Sequence, residues 1–82
     1  MAAIKYPLST EKGIRLMESE NKLIFVVDKG ATKAEIKDEI EKLFSAKVAD
    51  VNTLITRGEK RAYVRLRPET PAIDVATQLG LL

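Results

Sequence analysis

The stretch from Val48 to Leu66, VADVNTLITRGEKRAYVRL, reads as a strand, a tight basic turn and a second strand. Thr56-Arg57-Gly58-Glu59 supplies the turn, with glycine where a positive φ is needed. The first strand is expected over Ala46–Leu54 or slightly beyond, the second over Lys60–Leu66. The second strand alternates plainly. Ala62, Val64 and Leu66 face one way; Arg61, Tyr63, Arg65 and Arg67 face the other. From Arg57 to Arg67 there are five cations and one anion, a local charge of +4.

Upstream of this hairpin, Thr32-Lys33-Ala34-Glu35 has the spacing of a capping box. It predicts a helix running to about Phe44. Ile36, Ile40, Leu43 and Phe44 form its apolar stripe, and Lys37–Glu41 and Asp38–Lys42 are expected as ion pairs on its wet side. Glu35 to Glu41 carries a charge of −3, so a polyanion on one side and a different partner on the other is a natural arrangement. Before it, Lys22–Asp28 contains the uninterrupted apolar run Leu23–Val27. A strand apolar on both faces predicts the inner strand of a three-layer fold.

Nearer the start, Ser9 or Thr10 caps a helix expected to reach about Ser19. Ile14 and Met17 share its apolar face with Leu16 partly beside them, and Gly13 implies close packing or a loose helix. Ile4-Lys5-Tyr6 suits a short edge strand that Pro7 ends. Downstream, Pro68 closes the last strand. Thr70 and Pro71 read as a cap and first position of a short helix carrying Ile73, Val75, Ala76 and Leu79, closed by Gly80.

This order predicts an α+β fold: a mostly antiparallel sheet of three to four strands with helices packed on its faces. If the last strand pairs beside Lys22–Asp28, the topology is a ferredoxin-like split βαβ. At 82 residues the chain is expected to form one domain, residues 1–82, burying only about 60–65% of its unfolded surface. Hydrophobic residues make up 45% and charged residues 32%, a globular balance that excludes the disordered class. No run approaches the length of a membrane span, and the first residues lack the apolar core of a signal peptide.

The chain has neither Cys nor His, which removes a disulfide framework, a zinc ribbon, a thiol nucleophile and the usual general base. The carboxylate pairs Glu35/Glu39 and Asp38/Glu41 lie on the polar side of a helix and read as a solvated face. No phosphate loop, cofactor motif or metal cluster is visible, and no enzyme is expected. The row Arg61, Tyr63, Arg65 and Arg67 sets cations about 7 Å apart, near the phosphate spacing of an RNA backbone. Tyr63 is placed to stack on a base or to hydrogen-bond, and Arg57, Lys60 and Asn52 extend the patch around the turn. The same charges would also guard an edge strand against unwanted pairing.

Four stretches resemble the large ribosomal subunit protein of family twenty-three, found at the polypeptide exit tunnel. They are Pro7–Lys12, Ala31–Lys37, Val51–Thr53 and Lys60–Leu66, in the family's order. Arg67 departs from the family, which usually has a small, uncharged or acidic residue there. The few residues between Ile55 and Lys60 resemble the archaeal form, without the long basic extension of bacterial members. The resemblance implies a structural protein docked on the third domain of large-subunit ribosomal RNA, cytoplasmic, a monomer within the ribosome beside neighbouring ribosomal proteins. The RNA-facing positions it implies are Lys12, Lys33, Lys37, Asn52, Thr53, Lys60, Arg61, Tyr63 and Arg65; Arg57 and Arg67 join them from the charge pattern. In bacterial relatives the acidic residue equivalent to Glu11 docks a ribosome-bound chaperone. Here the signal recognition particle or another tunnel-exit factor is the implied visitor, with Glu11, Glu18 and Glu20 as an inferred docking patch. A free-standing RNA-binding module and a ferredoxin-like ligand-binding regulatory domain remain as alternatives.

Overall fold

The computed structural model describes residues 3–80. Its elements are β1 (Ile4–Pro7), α1 (Glu11–Glu20), β2 (Lys22–Val27), α2 (Lys33–Phe44), β3 (Val48–Thr56), β4 (Glu59–Leu66) and α3 (Ala72–Gln78). The four strands form one antiparallel-paired sheet in the order β1-β2-β4-β3. β4 inserts between β2 and β3, which therefore run parallel to each other across the α2 crossover. This is the α+β, ferredoxin-like arrangement expected, with β2 and β4 as inner strands.

Register sorts the sheet into two faces. Leu23 pairs with Val64 and Val64 with Val51; Phe25 pairs with Ala62. These residues join Ile36 and Ile40 of α2, Ala72, Val75 and Ala76 of α3, and Met17 of α1 in one core. Ile24 and Val26 are equally buried but lie on the opposite face, outside that core. On that face the cover expected from the apolar run comes partly from α1: a Cβ at Gly13 would lie 3.6 Å from Ile24 Cδ1 and 3.4 Å from the Leu8 carbonyl oxygen. Val26 is flanked in register by Tyr6 and Arg61. There, polar side chains with long apolar stems give the cover that α1 gives Ile24.

The local signals explain the helix boundaries. Thr10 Oγ1 accepts from the Gly13 amide, and Thr32 and Glu35 form both bonds of the capping box. Two helix faces differ from expectation. Ile14 and Leu43 are exposed, because Gly13 and Met17 in α1, and Ile36 and Ile40 in α2, occupy the core positions. The pairs Lys37–Glu41 and Asp38–Lys42 are absent among the described residues. Glu41 instead accepts the Val48 amide at 3.2 Å. Glu39 takes the amides of Ala3 and Ile4 at 2.7 and 3.1 Å, fastening β1 to α2. These carboxylates hold backbone and do not form a merely solvated face.

α3 is capped differently from the sequence reading. Pro71 occupies the cap position itself, and Thr70 Oγ1 accepts the Lys47 amide. The Ala72 amide, in the first turn of α3, donates to Asn21 Oδ1 at 2.6 Å, and Asn21 Nδ2 donates to the carbonyls of Leu66, Arg67 and Thr70. Asn21, in the left-handed region at φ 56°, thus ends α1 and caps α3 together.

A candidate nucleic-acid interface on the open sheet face

β4 places its cations by alternation. With Ala62, Val64 and Leu66 committed to the core, Arg61, Tyr63 and Arg65 emerge on the face opposite α2 and α3. Register adds neighbours that local sequence does not reveal. Lys22 of β2 stands opposite Arg65, and Asn52 of β3 opposite Tyr63. From α1, the Lys12 ammonium lies over the Tyr63 ring, 5.6 Å from its centroid. Lys12, Lys22, Asn52, Arg61, Tyr63 and Arg65 therefore share one surface. Lys22 is the member that sequence reasoning missed. Its place next to the alternating β4 row is set by strand pairing alone.

Three of the four cations of this face have a carboxylate partner. Arg65 Nη2 donates to Asp50 Oδ2 at 2.6 Å, Arg61 Nη2 to Glu59 Oε1 at 3.4 Å, and Lys22 Nζ meets Glu20 Oε1 at 3.0 Å. Like charges directly opposite on adjacent strands repel, and Glu20 and Asp50 flank the Lys22/Arg65 pair that would otherwise do so. The four cations and three carboxylates leave a charge of +1, well below the +4 counted along the hairpin.

The remaining expected residues are distributed elsewhere. Lys60 faces the core side, in register with Val27 and Ile55, and its ammonium donates to the carbonyls of Ala31 at 2.8 Å and Lys29 at 3.3 Å. It pins the β2–α2 turn and does not extend the patch. Thr53, paired with Ala62, is half-buried on that side too. Lys33 and Lys37 are exposed on α2, across the sheet from the open face. Arg57 is exposed in the hairpin turn, and Arg67 lies just beyond the end of β4.

The inferred acidic patch also divides. Glu11 and Glu18, seven residues apart, are about 20° apart around the α1 axis. Both are exposed, with Glu11 paired to Arg15 at 2.6 Å. Glu20 lies about half a turn from them and is bound to Lys22. Among the described residues no cluster of metal-ligating side chains occurs, and no helix is long and apolar enough to cross a membrane.

A family model described as ribosomal protein L23 matches residues 2–75. A relative from Pyrobaculum aerophilum, described as large ribosomal subunit protein uL23, is 54% identical over 80 residues, covering 96% of this chain and 99% of the relative. One of the same description from Methanococcus aeolicus is 48% identical over 79 residues, covering 95% and 92%. Both relatives are archaeal, in keeping with the short connection between β3 and β4.

Proposed function

The chain belongs to the ribosomal protein L23 family, so it is a structural, non-enzymatic constituent of the large ribosomal subunit in the cytoplasm, and from that premise we propose that it binds large-subunit ribosomal RNA through the open face of its sheet. Membership of the subunit sets aside the free-standing module and the ligand-binding regulatory domain. The observation that carries the RNA reading is the convergence of Lys12, Lys22, Arg61 and Arg65 around Tyr63 and Asn52 on the sheet face opposite α2 and α3. Guanidinium groups bind phosphate oxygens with paired donors, while Tyr63 and Asn52 offer hydrogen bonds to ribose, phosphate or base edges. Residues 1–82 act as a single RNA-binding domain in this reading.

Lys33 and Lys37 on α2, with Arg57 at the turn and Arg67 beyond β4, serve as outlying phosphate contacts where RNA wraps past the open face. The position near the exit tunnel, on the third domain of the RNA, follows the family resemblance. The exposed side of α1 bearing Glu11 and Glu18 offers docking to a signal recognition particle or another nascent-chain factor. Glu20, held by Lys22, drops out of that patch.

The test is the double substitution Arg61→Glu and Arg65→Glu. It is expected to abolish binding to a large-subunit RNA fragment while leaving the circular dichroism spectrum unchanged. Retained affinity places the binding face elsewhere. Glu11→Arg should leave RNA binding intact and weaken factor recruitment to assembled subunits; unchanged recruitment refutes the docking patch.

A further inference from the structure

Three of the cations on the open face are drawn into internal ion pairs. Three of the four ion pairs among the described residues lie on it, and the fourth is the Glu11–Arg15 pair of α1. Among the described residues, the two buried side-chain polar atoms without a hydrogen-bond partner, Asp50 Oδ1 and Arg61 Nε, also fall within these pairs. Pairs arranged for stability alone would satisfy such atoms, since an orphaned buried group is unfavourable. The side chains are also partly open to solvent: 51% for Arg65 and 41% for Asp50, 34% for Arg61 and 31% for Glu59. Exposed pairs of this kind are weak, so they can open when a better partner arrives.

We propose that Glu20, Asp50 and Glu59 are specificity-determining residues of this face, holding its cations in internal pairs so that polyanions in general are discouraged. This deepens the RNA-binding reading and rests on it. A non-matching polyanion meets a face of charge +1, with three carboxylates repelling its phosphates. A matching RNA sets phosphates against Lys22, Arg61 and Arg65 together, with Tyr63 and Asn52 between them, and replaces all three carboxylates in one step. The carboxylates lower affinity for both, and lower it more for the RNA that cannot engage the cations together.

The experiment measures equilibrium binding of the full chain to large-subunit ribosomal RNA and to a random-sequence RNA of equal length, across a range of salt. It compares wild type with Glu20→Gln, Asp50→Asn, Glu59→Gln and the triple variant. Each single change is expected to tighten random-RNA binding about threefold, the size of one unit-charge contact at about 7 Å in water. The triple variant should tighten it roughly twenty- to thirtyfold on the same footing and steepen its salt dependence, while ribosomal RNA binding changes less. The ratio of the two affinities therefore falls, and Asp50→Glu, which keeps the charge, preserves it. A ratio that stays constant or rises overturns the proposal. Equal wild-type affinity for the two RNAs also overturns it, whereas a wild type that binds neither RNA refutes the RNA-binding reading instead. Circular dichroism and thermal melts confirm that the isosteric variants are folded.

Discussion

Asn21 shows how much one side chain can hold. Its amide reaches three carbonyls and its oxygen caps α3, while its backbone adopts the left-handed conformation. Asn21→Ala is expected to destabilise the protein by about 2–4 kcal/mol, from several lost hydrogen bonds and an unfavourable φ. Asn21→Gly should cost about 1 kcal/mol less, because glycine accepts that backbone without strain. Urea unfolding of both variants checks the order. Arg57 presents the opposite balance. It sits at φ 52° beside Gly58 at φ 77°, a two-residue turn with both central residues left-handed, and such turns favour Gly or Asn at both positions. Arg57→Gly should raise stability by about 0.5 kcal/mol, the conformational relief partly offset by chain entropy. If Arg57 contacts a phosphate, the same variant lowers the log–log salt slope of RNA binding by about 0.7–0.9. Stability and affinity would then move in opposite directions, which melting and binding measurements on one preparation can show.

At the scale of elements, β1 and α2 depend on each other through Glu39. A four-residue edge strand has little hold of its own, and the carboxylate of Glu39 secures two of its amides. Glu39→Ala is expected to accelerate amide hydrogen exchange at Ile4 by about tenfold or more, the factor for roughly 1.5 kcal/mol of a charge-assisted bond. Exchange at Val64, in the central strand, should not change; equal acceleration there would mean that β1 does not open separately. Thr32→Ala should cost about 1 kcal/mol through loss of its half of the capping box, measured as a shift in urea midpoint. The capping box, the β4 alternation and the glycine turn were all legible in sequence because each depends on residues within a few positions. Asn21 as the cap of α3 was not, because donor and acceptor are 51 residues apart.

At the scale of the molecule, the core is a single cluster shared by all three helices and one face of the sheet. A domain of 82 residues is expected to have a stability of about 4–12 kcal/mol. Ile40, with no exposed surface, should cost about 2–5 kcal/mol when cut to Ala, a large share of that total. A bound RNA fragment stabilises the folded chain by mass action, by about 2.7 kcal/mol at a hundredfold excess over Kd. The melting temperature of Ile40→Ala should therefore rise on adding the fragment; no rise would mean that the fragment does not bind the folded state.

The sequence by itself determined the elements, the faces taken by the β4 side chains from Arg61 to Leu66, the hairpin and the family. Period-two and period-3.6 patterns, caps and turn glycines act locally, and they are fixed before the chain closes. Only the tertiary structure decided which charges are neighbours. Strand order brought Lys22 beside Arg65 and put Asp50 among the cations, while the packing of β4 on the β2–α2 turn gave the Lys60 ammonium its partners at Lys29 and Ala31. The turn from α1 into β2 paired Glu20 with Lys22. The hairpin that reads as a patch of charge +4 along the chain becomes part of a face of charge +1, because Coulomb partners are set by distance in space and not along the chain.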